Sequence, residues 1–459
     1  MTNISTNPRT FIVAHVGSNQ QQTGSEGTPF VGFKGLLAAQ QVAQPGDIIL
    51  LRGPLEYGVV RFSANGAEGA PITVAPHPDG GHVDGHNDWP RGKAAWTGID
   101  LDGNPTEAVH TPLVRILGDY VKWSVPVKNS RGRSIQIGND KQTVTGTRIA
   151  DTLISGARTA PIELRNTIGC GVIRCQIEDG SNYYPERADR DINDKNFSGC
   201  IKLIGAVDSL ITDNRIRHHY GNVVTPGRGS RGTKVLRNEI HDCNGSLIYI
   251  EWARDVLVEG NVLWYSPEWT MGVHSAIVIN NEEEYNQAGH EAAGIRVIGN
   301  VALGTSVGMA VWGNEGQDRT VAGIELTDNI FINQLGAGLR TNYNAKFREF
   351  VCRHNIFAGA DKSKLLDLRS ASPVDLDDSN HYVAPSGIPD QRAANAAEVR
   401  GLAAALRAQY PIKAPPVDPP DPPKEEDPRQ IELRAWLAEA DDLMPQLNDW
   451  LERGRALVG

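Results

Sequence analysis

Cysteine is scarce in this chain. Among 459 residues there are five, Cys170, Cys175, Cys200, Cys243 and Cys352, an odd number with no CxxC pair. That excludes a disulfide-stapled scaffold and a zinc site built on paired cysteines. The thiols suit small apolar fillers, and the chain fits synthesis in a reducing cytoplasm. No apolar run approaches the roughly 20 residues that a membrane-spanning helix needs, so no membrane insertion is expected. The N-terminus, "MTNISTNPRT", lacks a basic region followed by an apolar core, so no secretory signal peptide is expected. Positive charge is not in surplus either. Against 55 Asp and Glu stand 45 Lys and Arg, a formal net charge of −10, and no nucleic-acid partner is expected.

Glycine is plentiful at 48 residues while aromatics make up only 6%, which suits many short strands joined by tight turns. One of those strands carries an oddity. "VLRNEI", Val235 to Ile240, reads as a buried strand apart from Asn238, a poor strand former whose amide needs partners in an apolar interior. The same placement recurs in "ITDNRI" (Asn214), "VEGNVL" (Asn261), "VIGNVA" (Asn300), "LTDNIF" (Asn329), "CRHNIF" (Asn355) and, more loosely, "DDSNHY" (Asn380). Between successive asparagines the steps are 24, 23, 39, 29, 26 and 25 residues. Repeats of about 20–30 residues are the signature of a solenoid.

Each repeat holds apolar runs of four to six residues with a period of two, as in "IKLIGAVDSLITDN" (201–214) and "LIYIEWARDVLVEGN" (247–261). A helical solenoid would need apolar residues every three or four positions over ten or more residues, so these are strands. The expected fold is all-β, a right-handed parallel β-helix of about ten rungs. It has a helical cap at its N-terminus and a short α-helical tail at its C-terminus. Rungs stacked about 4.8 Å apart would set each Asn on the next and link their amides in a ladder. The 39-residue step is an ordinary rung carrying an insertion, "NEEEYNQAGHEAA", at 281–293.

Five segments follow. Residues 1–112 are expected to form the N-terminal cap and first rungs, with "FKGLLAAQQVA" (33–43) as the capping helix. Residues 113–385 form the β-helix, and 386–410 a helical or irregular C-terminal cap. Residues 411–428, "PIKAPPVDPPDPPKEEDP", hold eight of the 27 prolines and read as a stiff spacer. Residues 429–459 place Leu433, Trp436, Leu437, Ala440, Leu447, Trp450 and Leu451 at helical spacing. Such a short segment cannot bury that stripe alone, so it is expected to dock on other virion proteins, on a copy of itself, which would make the chain a homo-oligomer, or back on the β-helix.

The stretches "TFIVAHVGS", "GTPFVGFKGLLAAQQVAQPGDIILLRG", "GAPITVAPHPDG" and "HVDG", with the Asn repeats, resemble right-handed β-helix proteins such as polysaccharide lyases, related carbohydrate-active families and phage tailspikes. The resemblance spans roughly residues 10–385 and implies the fold and a polysaccharide partner. "VTPGRGSRGTKVLRNEIHDCNGSLIYIEWARDVLVEGN" also resembles a segment of the chondroitinase B and alginate lyase-like family. That family's catalytic Lys would fall near Arg228 and Gly229, and its catalytic Arg near Ile250 and Glu251. Both departures count against its lyase mechanism here. No NTD, GHG or RIK triplet of the polygalacturonase pattern occurs. "GRGSRG", Gly227 to Gly232, matches G-x-G-x-x-G, yet the strand-like "TKVLRNEI" follows it where a dinucleotide site needs a helix. It reads as an arginine-bearing turn at a rung corner.

Alternation along the strand that opens each rung places one side chain outward. Across rungs this gives Glu163, Lys202, Thr225, Tyr249, Val278, Trp312 and Arg340. Of these, Glu163, Lys202, Tyr249, Trp312 and Arg340 are the candidate substrate-binding residues, since aromatic faces stack on sugars and Arg and Lys meet carboxylates. An ordinary solvated sheet face is the plain alternative. Insertions at 281–293 and 314–322 leave successive rungs at one corner, bringing Glu282, Glu283, Glu284, Glu315 and Asp318 together. Glu283, Glu315 and Asp318 are the candidate catalytic carboxylates for acid–base work. No cofactor or metal site is expected, although calcium would suit that acidic cluster. A second pair of insertions, 178–199 and 266–274, leaves another corner. The reading that unites these features is a virion-associated, tailspike-like protein that binds a surface polysaccharide, with cleavage of that polysaccharide left open. A structural virion component without activity and a bacterial polysaccharide lyase or glycoside hydrolase are the alternatives.

Overall fold

In the computed structural model the described residues are 8–15, 23–56, 59–85, 112–130, 132–181, 199–281, 292–313, 320–359, 365–383 and 392–411. The chain separates into two compact units, Met1–Ile412 and Lys413–Gly459, and the second lies outside the described residues. The first is a parallel β-helix, as the resemblance implies.

Eleven strands stack in strict chain order into one sheet: Val60–Phe62, Val114–Ile116, Ile135–Ile137, Ile162–Arg165, Ile201–Ile204, Val224–Gly227, Ile248–Glu251, Ile277–Asn280, Val307–Val311, Ala337–Thr341 and Leu366–Leu368. The ten from Val114 onward match the expected rung count. A second, 24-stranded array holds the other two faces of the coil; the pairings between strands are parallel, with a register shift between Leu51 and Gly53 where Ile48–Glu56 meets Ile72–Asp84. Period-two alternation makes the core. In Ile201–Ile204, Ile201 and Leu203 point inward and are fully buried, while Lys202 and Ile204 are half-buried on the outer side. The same inward positions on other rungs continue them in two columns of the core, one through Ile248 and Ile277 and one through Ile250 and Ile279.

The asparagines lie at the turn between the two faces of the larger array. The residue before each of the six from Asn214 to Asn355 has a left-handed backbone: Asp213, Arg237, Gly260, Gly299, Asp328 and His354, with φ of 51–65°. That reversal points each amide inward. Asn214 Nδ2 donates to Asn238 Oδ1 at 2.9 Å, Asn238 to Asn261 at 3.0 Å and Asn261 to Asn300 at 2.8 Å. Asn300 donates to Asn329 at 2.9 Å, Asn329 to Asn355 at 3.0 Å and Asn355 to Asn380 at 3.0 Å. Each Oδ1 also accepts the backbone N–H of the preceding asparagine, and upstream the row ends where Cys175 N donates to Asn214 Oδ1.

At the N-terminal end, the helix Gly32–Val42 buries Leu36 and Ala39 against the first strands. Its Gln40 meets the open edge of the eleven-stranded sheet. The Gln40 amide donates to Arg61 O at 2.9 Å and its oxygen accepts from Ser63 N at 2.7 Å. Two backbone groups that would offer a pairing template are thereby occupied. Asp47 anchors the same end: it is fully buried and takes hydrogen bonds from Arg9 and from Gln44 N. Burial pushes its carboxyl up, but those bonds outweigh burial and hold it below the usual range.

The C-terminal segment is helical over Ala396–Gln409, capped by Asn395, whose side chain accepts from Glu398 N. It packs on the outside of the third face, with Val399, Ala403 and Leu406 against Val262, Trp264, Val301, Ile330 and Ile356. A 14-residue helix is ~21 Å long, close to the ~19 Å covered by the four rung steps from Val262–Trp264 to His381–Val383. The helix is thus a strap laid along the side.

Candidate functional site

The outer side of the eleven-stranded sheet carries the residues of interest, and strand register decides which are neighbours. One outward column runs Arg61, Arg115, Gln136, Glu163, Lys202 and Thr225. It continues through Tyr249, Val278, Ala310 and Arg340 to Asp367. This corrects one expected placement: Ala310, not Trp312, is level with Val278 and Arg340. Trp312 stands two residues on, in the adjacent column with Arg165, Ile204, Gly227, Glu251 and Asn280. Counting along the sequence missed it because the strand Val307–Val311 begins earlier relative to its neighbours.

Glu163 lies at the centre of a charged cluster and is 0% exposed. Its Oε1 accepts from Arg165 Nε at 2.8 Å and Gln136 Nε2 at 3.0 Å, and Arg133 Nε lies 3.1 Å from Oε2. Arg165 also reaches Asp140 at 2.8 Å. Burial pushes the Arg133 guanidinium down, and neighbouring Arg165 and Arg115 add to that, against the pull of Glu163. For Arg165 burial also acts downward, but its hydrogen bonds to Glu163 and Asp140 lift it overall. One rung on, burial lowers the Lys202 amine, and Arg228 lowers it further while Glu251 and Glu163 oppose. Five cations (Arg115, Arg133, Arg165, Lys202 and Arg228) thus share this site with three carboxylates (Asp140, Glu163 and Glu251). Among the described residues these five cations outnumber the three carboxylates, in a chain of net charge −10.

Beyond Lys202 the column turns apolar. Tyr249, Val278, Val307, Ala310 and Ala337 form a small cluster of their own on the outer side, with Trp312 packed against it. Tyr249 and Trp312 meet edge to face at 6.2 Å, and Asn280 Nδ2 donates to Tyr249 Oη at 2.9 Å. Tyr249 is therefore buried, and Trp312 is half-buried. Arg340 is brought into the expected column but pairs with Asp367 at 2.9 Å, and Arg369 binds the same carboxylate.

The structure thus brings Glu163 and Lys202 together, packs Tyr249 and Trp312 in one apolar cluster, and sets Arg340 further along the column. Glu283, Glu315 and Asp318, with Glu282 and Glu284, lie outside the described residues, as does the tail at 429–459, whereas Ala293 and Thr320–Ala322 from the two expected insertions belong to strands. Among the described residues no group of three or more His, Cys, Asp or Glu side chains is placed to hold a metal ion, and no helix is long and apolar enough to cross a membrane. The sequence reading passed over Arg133, Arg165 and Glu251 as site residues. For the last two a signal was there, since each stands two positions after an outward residue.

No family model matches the chain, and no curated protein matches it. Several solved structures are similar. Pectate lyase Pel9A shares 17% identity over 84% of this chain and 83% of its own, with a TM-score of 0.44. The Dettilon tailspike protein shares 12% over 78% and 68%, with a TM-score of 0.45. PfbA, a surface adhesin of Streptococcus pneumoniae, shares 12% over 76% and 86%, with a TM-score of 0.48.

Proposed function

We propose that this protein binds an acidic polysaccharide on the outer side of its eleven-stranded sheet, and does so as the tailspike-like arm of a virion, docked through residues 429–459. One observation carries the binding: five cations gathered around Glu163 and Lys202 in an otherwise acidic chain. Bringing like charges together in a partly buried site costs energy that an anionic ligand offsets. Isothermal titration with polygalacturonate, alginate and neutral dextran tests the reading. Acidic polymers should bind and dextran should not, with affinity falling as salt is added. Lys202→Ala should weaken binding by about tenfold or more, the scale of a charge-assisted contact. Equal binding of dextran, or an unchanged Lys202→Ala, would sink it.

A second reading, in which the chain is also cleaved, rests on Lys202 alone. Burial favours its neutral amine, and a neutral amine can take a proton. Formation of unsaturated uronates from either acidic polymer checks it. The non-enzymatic virion component and the bacterial enzyme stay as alternatives, decided by binding without products in the first case and by the source of the chain in the second.

A further inference from the structure

We infer that Gln136 is a specificity-determining residue: it accepts a hydrogen bond from a sugar hydroxyl, and so lets the site tell a polysaccharide from other polyanions. This rests on the acidic-polysaccharide reading and adds to it what the site recognises besides charge. The Gln136 side chain is 3% exposed, and its two polar atoms are in opposite situations. Its Nε2 donates to Glu163 Oε1 at 3.0 Å. A carboxylate held between Arg133 and Arg165 accepts and does not donate, so this bond fixes which end of the amide faces Glu163. The other end, Oε1, is buried and has no donor among the described residues. Burying an acceptor without a donor is unfavourable, and a ligand that brings the donor relieves it.

The neighbouring rung supplies the complement. Arg115 is the register partner of Gln136 in the same outward column. Its Nε is also buried without a partner among the described residues, and a guanidinium nitrogen can only donate. An unpaired donor and an unpaired acceptor therefore stand on adjacent rungs, about 4.8 Å apart. One oxygen that hydrogen-bonds to both at roughly 2.8 Å can bridge a gap of up to roughly 5.6 Å. That oxygen must accept from Arg115 and donate to Gln136. A hydroxyl does both, whereas an ionised carboxylate, sulfate or phosphate oxygen only accepts. Both atoms are shut from solvent in the free protein, so the ligand reaches them as the long, half-buried Arg115 side chain shifts toward its charge. Lys202 stands two rungs beyond Gln136, about 9.6 Å away, and is left for a carboxylate of the same chain.

The test titrates the full chain with three polymers at equal carboxylate concentration: polygalacturonate, its O-acetylated form and poly-L-glutamate. All three are polyanions, and only the first keeps its hydroxyls free. The wild-type protein should bind polygalacturonate about tenfold more tightly than either of the others, the scale of one hydrogen bond to a buried group. Gln136→Met keeps the volume and removes the acceptor. It should weaken polygalacturonate alone and leave the three affinities alike. A wild-type affinity for polygalacturonate matched by either of the other polymers would overturn the inference while leaving acidic-polymer binding in place. So would a Gln136→Met variant that lost all three equally, as a purely structural role requires. Absence of binding to any of the three would overturn the acidic-polysaccharide reading and this one with it. Should Gln136→Met fail to fold, the wild-type comparison still decides.

Discussion

At the scale of single residues, Asn238 is the most constrained polar group in the fold. Its amide donates to Ile211 O and Asn261 Oδ1, and its oxygen accepts both the backbone and side-chain N–H of Asn214. Asn238→Leu should cost about 1–3 kcal/mol for each buried group it orphans. Asn380→Leu, at the end of the row with a neighbour on one side, should cost less. A denaturant titration that ranked them equal would contradict the stacked arrangement. Lys202 behaves oppositely. The fold disfavours its charge, so the unfolded chain binds more protons between the lowered value and the ordinary lysine range, and stability should rise with pH across that window. Lys202→Met should raise the melting temperature by a few degrees, flatten that rise and abolish glycan binding. The thiols are inert for the same reason: burial lifts Cys170, Cys175 and Cys352 to about 12. A thiol reagent at neutral pH should label none of the five in the folded protein and all of them after unfolding, since reactivity follows the thiolate.

Elements decide how the two flanks of the solenoid are protected. Gln40 holds the open edge of the first sheet strand, so Gln40→Leu should destabilise by about 1–3 kcal/mol and promote association through that edge. Light scattering at rising concentration would register the association, and a strictly unchanged scattering profile would contradict it. The strap Ala396–Gln409 covers apolar side chains that would otherwise face water, including Trp264 and Ile330. Leu406→Ala should cost about 2–5 kcal/mol if the strap is rigidly packed. Arg400 to Glu239 at 2.8 Å and Arg407 to Asp328 O at 3.0 Å orient the strap at its solvent side, where ion pairs contribute little.

For the whole molecule, the relevant boundary is the one after Ile412. Removing residues 413–459 should leave the β-sheet circular dichroism and the melting transition unchanged, because the described strands of the solenoid all lie within Met1–Ile412. Assembly with a partner or with another copy should be lost. Sedimentation of the truncated and full chains measures both outcomes together, and loss of the β-sheet signal would place the tail in the fold. Removal from residue 392 onward is a different experiment: it strips the strap and should yield an aggregating protein with an exposed apolar face.

Much of this architecture is legible in the chain because a solenoid repeats a local rule. Period-two alternation assigns inward and outward positions, and the spacing of Asn214, Asn238, Asn261, Asn300, Asn329 and Asn355 marks one turn per rung. Neither needs knowledge of distant contacts. The site is a different matter, because a column on the sheet joins residues that are 20 to 40 positions apart, and its register depends on where each strand starts. Ala310 displaces Trp312 from the column through a shift of two residues that no local pattern records. The strap is likewise a tertiary outcome, since an amphipathic helix at 396–409 can cover any apolar face, and only the row from Trp264 to Val383 makes the side of the coil that face. The burial of Tyr249 by Trp312 is of the same kind: both point outward by alternation, and only their packing closes part of an expected open stripe.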